Sequence, residues 1–487
     1  MKLLKDIIYG ISIREIKGNT NIAVDNVSFN SRNVSGLSLF VAIKGTNVDG
    51  HDFIEIAENN GVCGIICENL PKKLSPNITY IKVPDSTEAM AIIASNFYDN
   101  PSEEIKLIGI TGTNGKTTSA TLLYDLFRLL GYKTGLISTV NIRINHKTLP
   151  ATHTTPDVLK INKLLREMVN QGCSHVFMEV SSHALDQNRT KGLDFNIGVF
   201  TNISRDHLDY HPTYDDYIKC KKKLFDSMGS ESHALVNMDD DHGRSMVEDS
   251  RAKVCSYGIR GDRTFRAKML ENDISGLTVE IDNHQMTSRL IGEFNIYNLL
   301  VAYGVANCLG EDSITTLTIL SNLKAPEGRF EYFISKSKIT SIIDYAHTPD
   351  ALENVLQTLV SLRKGSEKIF TVFGCGGDRD KGKRPLMGAI AANYSGQVIV
   401  TSDNPRSEDP EIINQEVLSG IKPNQESKVL SIIDRREAIK VACTMAKSGD
   451  IILIAGKGHE KYQIKGDEKL HFDDLETTIE IFKKFNK

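Results

Sequence analysis

The chain has 487 residues, with 58 Lys and Arg against 62 Asp and Glu and a formal net charge of −4. At roughly 150 residues per domain this length predicts about three domains, and the charge leaves no basic footprint of the kind that nucleic acid requires. The start, Met1-Lys-Leu-Leu-Lys-Asp-Ile-Ile8, meets a charge too early for a signal peptide. No apolar run is long enough to span a bilayer, so a cytoplasmic protein with no membrane insertion is expected.

Residues 1 to 100 carry short apolar stretches and turns. Asn30-Ser31-Arg32 precedes the apolar run Leu39–Gly45, as expected of a small α/β module. Ser31 and Arg32 are candidates for holding a phosphate or nucleotide, though such a pair is more often a plain loop. Asn100-Pro101 closes the module, because a residue before proline is pushed out of helix.

Ile105–Thr118 then reads as a buried strand, a glycine loop and a helix start. The loop Gly112-Thr113-Asn114-Gly115-Lys116-Thr117-Thr118 can surround phosphate oxygens with backbone N–H groups. Lys116 can reach the outer phosphates, and the Thr117 hydroxyl can meet Mg²⁺. The full Walker spacing is absent, since Ile110 stands where its first glycine belongs. Leu122, Leu123, Leu126, Phe127, Leu129 and Leu130 predict an apolar helix face that ends at Gly131.

A second strand is expected over 135–140, and 151–157 as a loop capping the next helix. His175–His183 follows as a strand that delivers Glu179; a buried glutamate is costly unless paired or metal-bound, which makes Glu179 a ligand candidate. Ile197–Ile203 is a similar strand, running into Ser204–His211. Strands that empty into polar loops mark the ligand edge of a parallel α/β sheet. In the helix over 217–225, four lysines (219, 221, 222 and 223) read as a solvated basic face, with an inward lysine left open.

Asn295 and Asn298 lie one helical turn apart; together they can read a base edge, or serve as a cap and a surface residue. A boundary is expected near 324–328. Beyond it, the segments 343–350, 372–385, 400–406 and 452–460 each read as a strand ending in a charged loop, the pattern of a third α/β domain. Eight cysteines show no C-x-x-C spacing; Cys63 and Cys67 sit in an apolar stretch, and reduced structural thiols are expected.

Taken together, Thr111–Thr118, Met178–Leu185, Asn202-x-x-Arg-Asp-His-Leu-Asp209, Asp344–His347, Gly374–Arg379 and Asp403–Arg406 resemble the Mur ligase family, ATP-dependent amide-forming enzymes of peptidoglycan precursor synthesis. The resemblance runs from about residue 28 to residue 475. It implies an α/β protein of three domains: a UDP-binding module (1–100), a central P-loop ATPase-type domain with a parallel sheet (101–326) and a C-terminal Rossmann-like domain (327–487). Ser31 would contact UDP, and Thr154, Thr155, Ser181, Gln187 and Arg189 the muramoyl-dipeptide. Asn295 and Asn298 match adenosine contacts, and Arg329 and Asp344 would approach ATP from the C-terminal domain.

Lys221 matches a lysine that the family carbamylates. Two Mg²⁺ ions are implied, one near Thr117 and Glu179 and one near His207 and the carbamate. In the family, Asp403-Asn404-Pro405-Arg406 accompanies meso-diaminopimelate, whose distal carboxylate a guanidinium fork can bind. Arg379, Gly456 and Glu460 match the remaining pocket positions. The expected reaction passes through an acyl phosphate, with Lys116, His207 and Lys221 in the catalytic roles, in a monomer acting on small molecules. L-lysine or another diamine as substrate, a folylpolyglutamate synthetase-like ligase and a nucleotide-binding regulator are the alternatives. Departures from the family pattern are Asn30 for the usual aspartate and the inserted Glu327.

Overall fold

Three large sheets, built from successive stretches of chain, organise the computed structural model, which describes residues 1–487 except 46, 47, 208, 209 and 275. The motif residue Asp209 therefore lies outside the described residues.

The first sheet orders its strands Glu15–Lys17, Thr79–Lys82, Gly64–Cys67, Ser38–Val41 and Asn26–Ser28. Leu39, Phe40, Val41, Ile65, Ile66 and Ile81 are fully buried, the continuous apolar runs of strands covered on both faces. Asn30 caps the short turn that holds Ser31, its side chain accepting from Arg32 N at 3.0 Å. An aspartate would make the same bond, so this departure leaves the local turn intact. Asn100 leaves helix as expected, but in the left-handed conformation (φ 48°, ψ 56°) rather than an extended one. Asparagine tolerates that region better than most residues.

The central sheet has a parallel core in the order Thr134–Ile137, His175–Glu179, Lys106–Thr111, Ile197–Phe200, His233–Asn237 and Lys253–Gly258. Antiparallel strands Asn141–Ile144 and Lys147–Pro150 extend one edge; at the other, Phe265–Asp273 joins Lys253–Gly258 in parallel and Gly276–Ile281 and His284–Ser288 follow it antiparallel. The expected strand over 135–140 stops at Ile137, because Ser138 turns the chain back by accepting from Asn141 N and donating to Asn141 O. In the helix Lys116–Leu129, Leu122, Leu123, Leu126 and Phe127 are buried, whereas Leu129 is 63% exposed. The apolar face is thus narrower than the sequence pattern predicts. All eight cysteines are free thiols; Cys67 is buried and Cys63 half-buried.

The C-terminal sheet runs Glu331–Ile334, Thr340–Asp344, Ile451–Ala455, Ile369–Phe373, Gln397–Val400 and Val429–Ser431, with all neighbours parallel except the first pair. The four expected strand-to-loop transitions all end on its C-terminal edge. Glu327 pairs with Lys461 at the surface at 2.5 Å, so the insertion leads to an ion pair and not to a break in the connection.

Behind this edge, Arg435 and Asp474 form a fully buried bidentate pair at 2.8 and 2.7 Å, and Arg435 also donates to Ala455 O. Removing one partner strands a charge in apolar surroundings. Asp474→Ala is expected to cost about 3–5 kcal/mol of stability, read as a lowered urea midpoint by circular dichroism; an unchanged midpoint would contradict the pairing.

Candidate active site

The phosphate loop leaves the central strand at Gly112, whose φ of +148° suits glycine; a Cβ there would lie 1.9 Å from Thr201 Oγ1. The loop is tied to the next strand's end. Thr113 N donates to Asn202 O at 2.8 Å, Asn114 N to Asn202 Oδ1 at 2.9 Å and Thr201 Oγ1 to Asn114 O at 2.7 Å. Gly115 precedes the helix Lys116–Leu129, whose first turn has no side-chain cap. Its leading N–H groups and dipole thus face the loop's concavity, a ready anion site. Thr117 and Thr118 are buried in that first turn.

Lys116 folds back, donating to Gly112 O at 2.8 Å and Thr113 O at 2.7 Å. Lys221 donates to the same Gly112 oxygen at 2.8 Å. The two amines are therefore at most twice 2.8 Å apart. At an effective dielectric of about 20, two full charges there repel by roughly 3 kcal/mol. Lys221 is 1% exposed, with its Nζ 4.6 Å from the Tyr217 ring centre. Burial, and then the Lys116 charge, push its pKa well below the ordinary lysine value. Burial also lowers Lys116, against the pull of Glu179 and Asp206. Lys221 is accordingly the inward lysine, and the more strongly lowered of the pair. Lys219 and Lys223 are exposed, and Lys222 pairs with Asp226 and Asp249.

Glu179 is fully buried at the end of its strand, accepting from Thr139 N at 2.8 Å and Thr139 Oγ1 at 3.0 Å. Its carboxylate keeps lone pairs for a cation. His207 lies in the left-handed region (φ 55°), next to Asp206 at 3.5 Å and His183 at 4.9 Å between rings. Burial in the cleft, opposed by Asp206, pushes its pKa down to about 4. Although 42% of the side chain is open, that direction leaves a neutral imidazole at neutral pH. Among the described residues no three His, Cys, Asp or Glu side chains form a ready metal cluster. The donor set of Thr117, Glu179 and His207 fits Mg²⁺, which is usually held by one or two protein groups together with phosphate oxygens and water.

The residues expected around the muramoyl-dipeptide largely converge. Thr154 Oγ1 lies 3.0 Å from Thr139 Oγ1, and Thr155 Oγ1 donates to Glu179 O; Ser181 N donates to Thr155 Oγ1; and Arg189 holds both Gln187 Oε1 and Thr155 O. Ser31 belongs to the first sheet's unit, where its carbonyl accepts from Asn60.

A cavity of about 970 Å³ runs from the phosphate loop to the C-terminal domain and is lined by Lys116, Thr117, Glu179, His207, Lys221, Asn298, Arg329 and Asp344. Asn298 lines it, with Asn295 alongside: Asn298 Nδ2 donates to Asn295 Oδ1 at 2.8 Å, and both amides are buried. Arg329 Nη2 reaches Thr117 Oγ1 at 3.2 Å, while its Nε is buried without a hydrogen-bond partner among the described residues. Asp344 accepts from Phe330 N and Ala346 N, and burial raises its pKa. Sequence reading missed Asp350, whose Oδ2 takes Asn114 Nδ2 at 3.1 Å and Ser204 Oγ at 2.9 Å. It ties the C-terminal domain to the phosphate loop; its place in the 343–350 motif was the available signal.

At the C-terminal edge, Asp403, Asn404, Pro405 and Arg406 meet the 456–464 segment. Asn404 Nδ2 donates to Glu460 at 2.9 Å, and Arg406 (φ 52°) donates through Nη1 to Gly377 O at 2.7 Å. Arg379 is exposed, on a loop whose Gly376 lies beside both arginines. Burial, then the Asp403 charge, raise the pKa of Glu460.

Three family models match: Mur ligase family, catalytic domain, over 23–98; Mur ligase middle domain over 110–306; and Mur ligase, glutamate ligase domain, over 328–458. The chain belongs to the Mur ligase family. This Mur ligase is 52% identical over 473 residues to the UDP-N-acetylmuramoyl-L-alanyl-D-glutamate–2,6-diaminopimelate ligase of Cytophaga hutchinsonii, covering 97% of each chain. It is 48% identical to the Bacteroides fragilis enzyme of the same name, covering 98% of this chain and 99% of that one. A solved ligase of that name superposes with a TM-score of 0.71 at 31% identity, covering 100% and 99% of the two chains. MurF ligase from Thermotoga maritima in complex with ADP shares the fold at 21% identity (TM-score 0.62, covering 95% and 97%). So does Mycobacterium tuberculosis folylpolyglutamate synthase at 18% (TM-score 0.60, covering 76% and 93%).

For this Mur ligase, Gly112→Ala forces a methyl against Thr201 at a strained φ. ADP binding by calorimetry is expected to weaken by about 100-fold, roughly 2.7 kcal/mol; unchanged affinity would remove the loop from the nucleotide site.

Proposed function

We propose that this chain catalyses the ATP-dependent addition of meso-2,6-diaminopimelate to UDP-N-acetylmuramoyl-L-alanyl-D-glutamate, in cytoplasmic peptidoglycan precursor synthesis. What carries the choice of amino acid is Arg406, anchored on Gly377 O beside the Asn404–Glu460 pair, together with relatives whose names include that substrate. A guanidinium matches a distal carboxylate that L-lysine lacks.

The D-glutamyl carboxylate attacks the γ-phosphorus, the bond to the bridging oxygen of ADP breaks, and an acyl phosphate forms. The neutral amine of the incoming amino acid then adds to the acyl carbon, its nitrogen gives up one proton to water, and the tetrahedral adduct expels phosphate. A carboxylate is a poor electrophile, and phosphorylation supplies its leaving group. This chain's own contribution is positioning and charge. Lys116 swings from the Gly112 and Thr113 carbonyls to the β- and γ-phosphate oxygens. Arg329 and Asp344 approach the nucleotide from the C-terminal domain, Asn295 and Asn298 take the adenosine side, and Arg189, Gln187, Ser181, Thr154 and Thr155 orient the acid, with Ser31 on its UDP end. Bound Mg²⁺ neutralises phosphate charge; Thr117 and Glu179 would hold one ion, His207 and carbamylated Lys221 a second.

Carbamylation of Lys221 is supported by its burial and by the shared Gly112 acceptor, which favour a neutral amine. That amine adds to CO₂, forming an N–C bond and releasing one proton to water. The three domains are taken as 1–100, 101–326 and 327–487, boundaries compatible with the three family matches. No helix of the described residues is long and apolar enough to cross a membrane. A monomer acting on small molecules is the assembly we infer.

Amino-acid-dependent ADP release tests the whole reading. Diaminopimelate is expected to outperform L-lysine, and Arg406→Ala to raise its KM by about 30-fold or more with the KM for ATP unmoved. A preference for lysine, or release that needs neither, contradicts the assignment. Lys116→Ala is expected to abolish turnover, as a nucleotide-binding regulator would not require. Lys221→Ala is expected to lower kcat by about 100-fold or more, roughly 2.7 kcal/mol. Full activity in that variant, or no added mass on Lys221 in the intact enzyme, would defeat the carbamate.

A further inference from the structure

Lys457 received no role from the sequence, yet its side chain is wholly buried beside Asp403 and Glu460. Gly456 (φ +111°) brings the chain against Asp403 so closely that a Cβ would lie 2.7 Å from Asp403 Oδ2. From there Lys457 Nζ donates to Tyr462 O at 2.7 Å and to Asn404 Oδ1 at 3.0 Å. It also lies 3.4 Å from Asp403 Oδ1 and 3.9 Å from Glu460 Oε2. A lone ammonium in such a place would cost several kcal/mol; this one has two carboxylates and two neutral acceptors.

Two consequences follow from these contacts. Asn404 Oδ1 is taken by Lys457 and by Ile464 N at 2.9 Å, so its Nδ2 must face Glu460. Asp403 and Glu460 bring two carboxylates and Arg406 a guanidinium, with Arg379 on the neighbouring loop, while Arg435 behind them is already paired with Asp474. Such separated charges suit a head group bearing both an ammonium and a carboxylate.

We propose that Lys457 is a positioning residue of this pocket: its buried ammonium separates the Asp403 and Glu460 carboxylates and fixes the Asn404 amide, keeping both carboxylates available to a substrate ammonium. The inference rests on the reading in which Arg406 takes the substrate's carboxylate. Without Lys457, the buried Asp403 carboxylate and the half-buried Glu460 carboxylate lose the cation they share, and their like charges favour uptake of a proton by one of them. The opposing influences are already visible at Glu460, where burial and Asp403 push its pKa up while Lys457, Asn404 and Arg406 pull it down. The other titratable groups around the two carboxylates are Tyr345, Tyr462 and Cys375, all pushed up by burial and uncharged in the neutral range, and Arg435, whose pKa the Asp474 partner raises.

The test is initial-rate kinetics of the full chain, with each substrate varied in turn, from about pH 6 to about pH 8, where free amino-acid ammoniums do not titrate. In the Lys457→Met variant, the KM for diaminopimelate is expected to rise by about 30-fold at neutral pH and to fall as pH increases. The KM values for ATP and the UDP-linked acid should stay near those of the unaltered chain. Adding Asp403→Asn removes the like-charge neighbour, and the pH dependence is expected to vanish. A pH-independent KM in Lys457→Met, or equal rises for all three substrates, overturns the proposal, since a purely structural lysine gives those results.

Should Lys457→Met fail to fold, Lys457→Gln keeps a donor for Asn404 without the charge and is expected to show the same pH slope. The unaltered chain is itself a test: its diaminopimelate KM is expected to be flat, and a steep rise toward pH 6 overturns the role. If the unaltered chain ligates a different amine, the substrate assignment fails, and the same measurements with that amine decide Lys457.

Discussion

Parallel pairing of Lys106–Thr111 between His175–Glu179 and Ile197–Phe200 constrains every reactive group of the central domain. The register sets Glu179 opposite Ile110 and Phe200 opposite Thr111, so three strands end at one level. The phosphate loop, the Glu179 carboxylate and the 201–207 segment must therefore emerge side by side. Thr201 and Asn202 then clamp the loop from its flank, which is why an alanine cannot replace Gly112 without displacing the neighbouring strand's end. The helix over 214–226 packs beneath and sends Lys221 up to the same carbonyl that Lys116 uses.

The C-terminal domain repeats the principle with a second parallel edge. Its strand ends carry Asp344, the 374–384 loop, Asp403–Arg406 and Gly456–Glu460, and the domain meets the first edge through Arg329 on Thr117 and Asp350 on Asn114 and Ser204. Apolar packing joins them as well: Phe294 meets Phe330 edge-on with ring centres 5.5 Å apart, and Ile291 is buried in the core of the C-terminal domain. Between the edges lies a cleft in which desolvation is the dominant electrostatic influence: it lowers Lys116, Lys221 and His207 and raises Asp344, as it raises Glu460 on the C-terminal edge. In such surroundings an unpaired charge is expensive, and an arriving phosphate or ammonium is correspondingly well rewarded by the groups that wait for it.

Local chemistry explains how much of this was legible. Gly112–Thr118 could be read because glycine, lysine and threonine at that spacing have few other uses after a buried strand. The capped helix after Asp157 and the four C-terminal strand ends were equally plain, since turn residues and apolar runs act over a few positions. Leu129 was misread because helical periodicity says which side a residue faces but not how far the covering layer extends. The strand over 135–140 was drawn too long because the Ser138 turn depends on a reciprocal bond with Asn141 that no composition rule contains.

Sequence alone determined the nucleotide loop, the α/β alternation, the family resemblance and the candidacy of Arg406, all of which depend on residue type and short spacing. Tertiary structure decided which of four lysines points inward, that Asp350 bridges two domains, and that Lys457 is buried between two carboxylates. Each of those depends on burial and on distances across more than fifty residues of chain, quantities set by how the sheets pack and invisible to any local pattern.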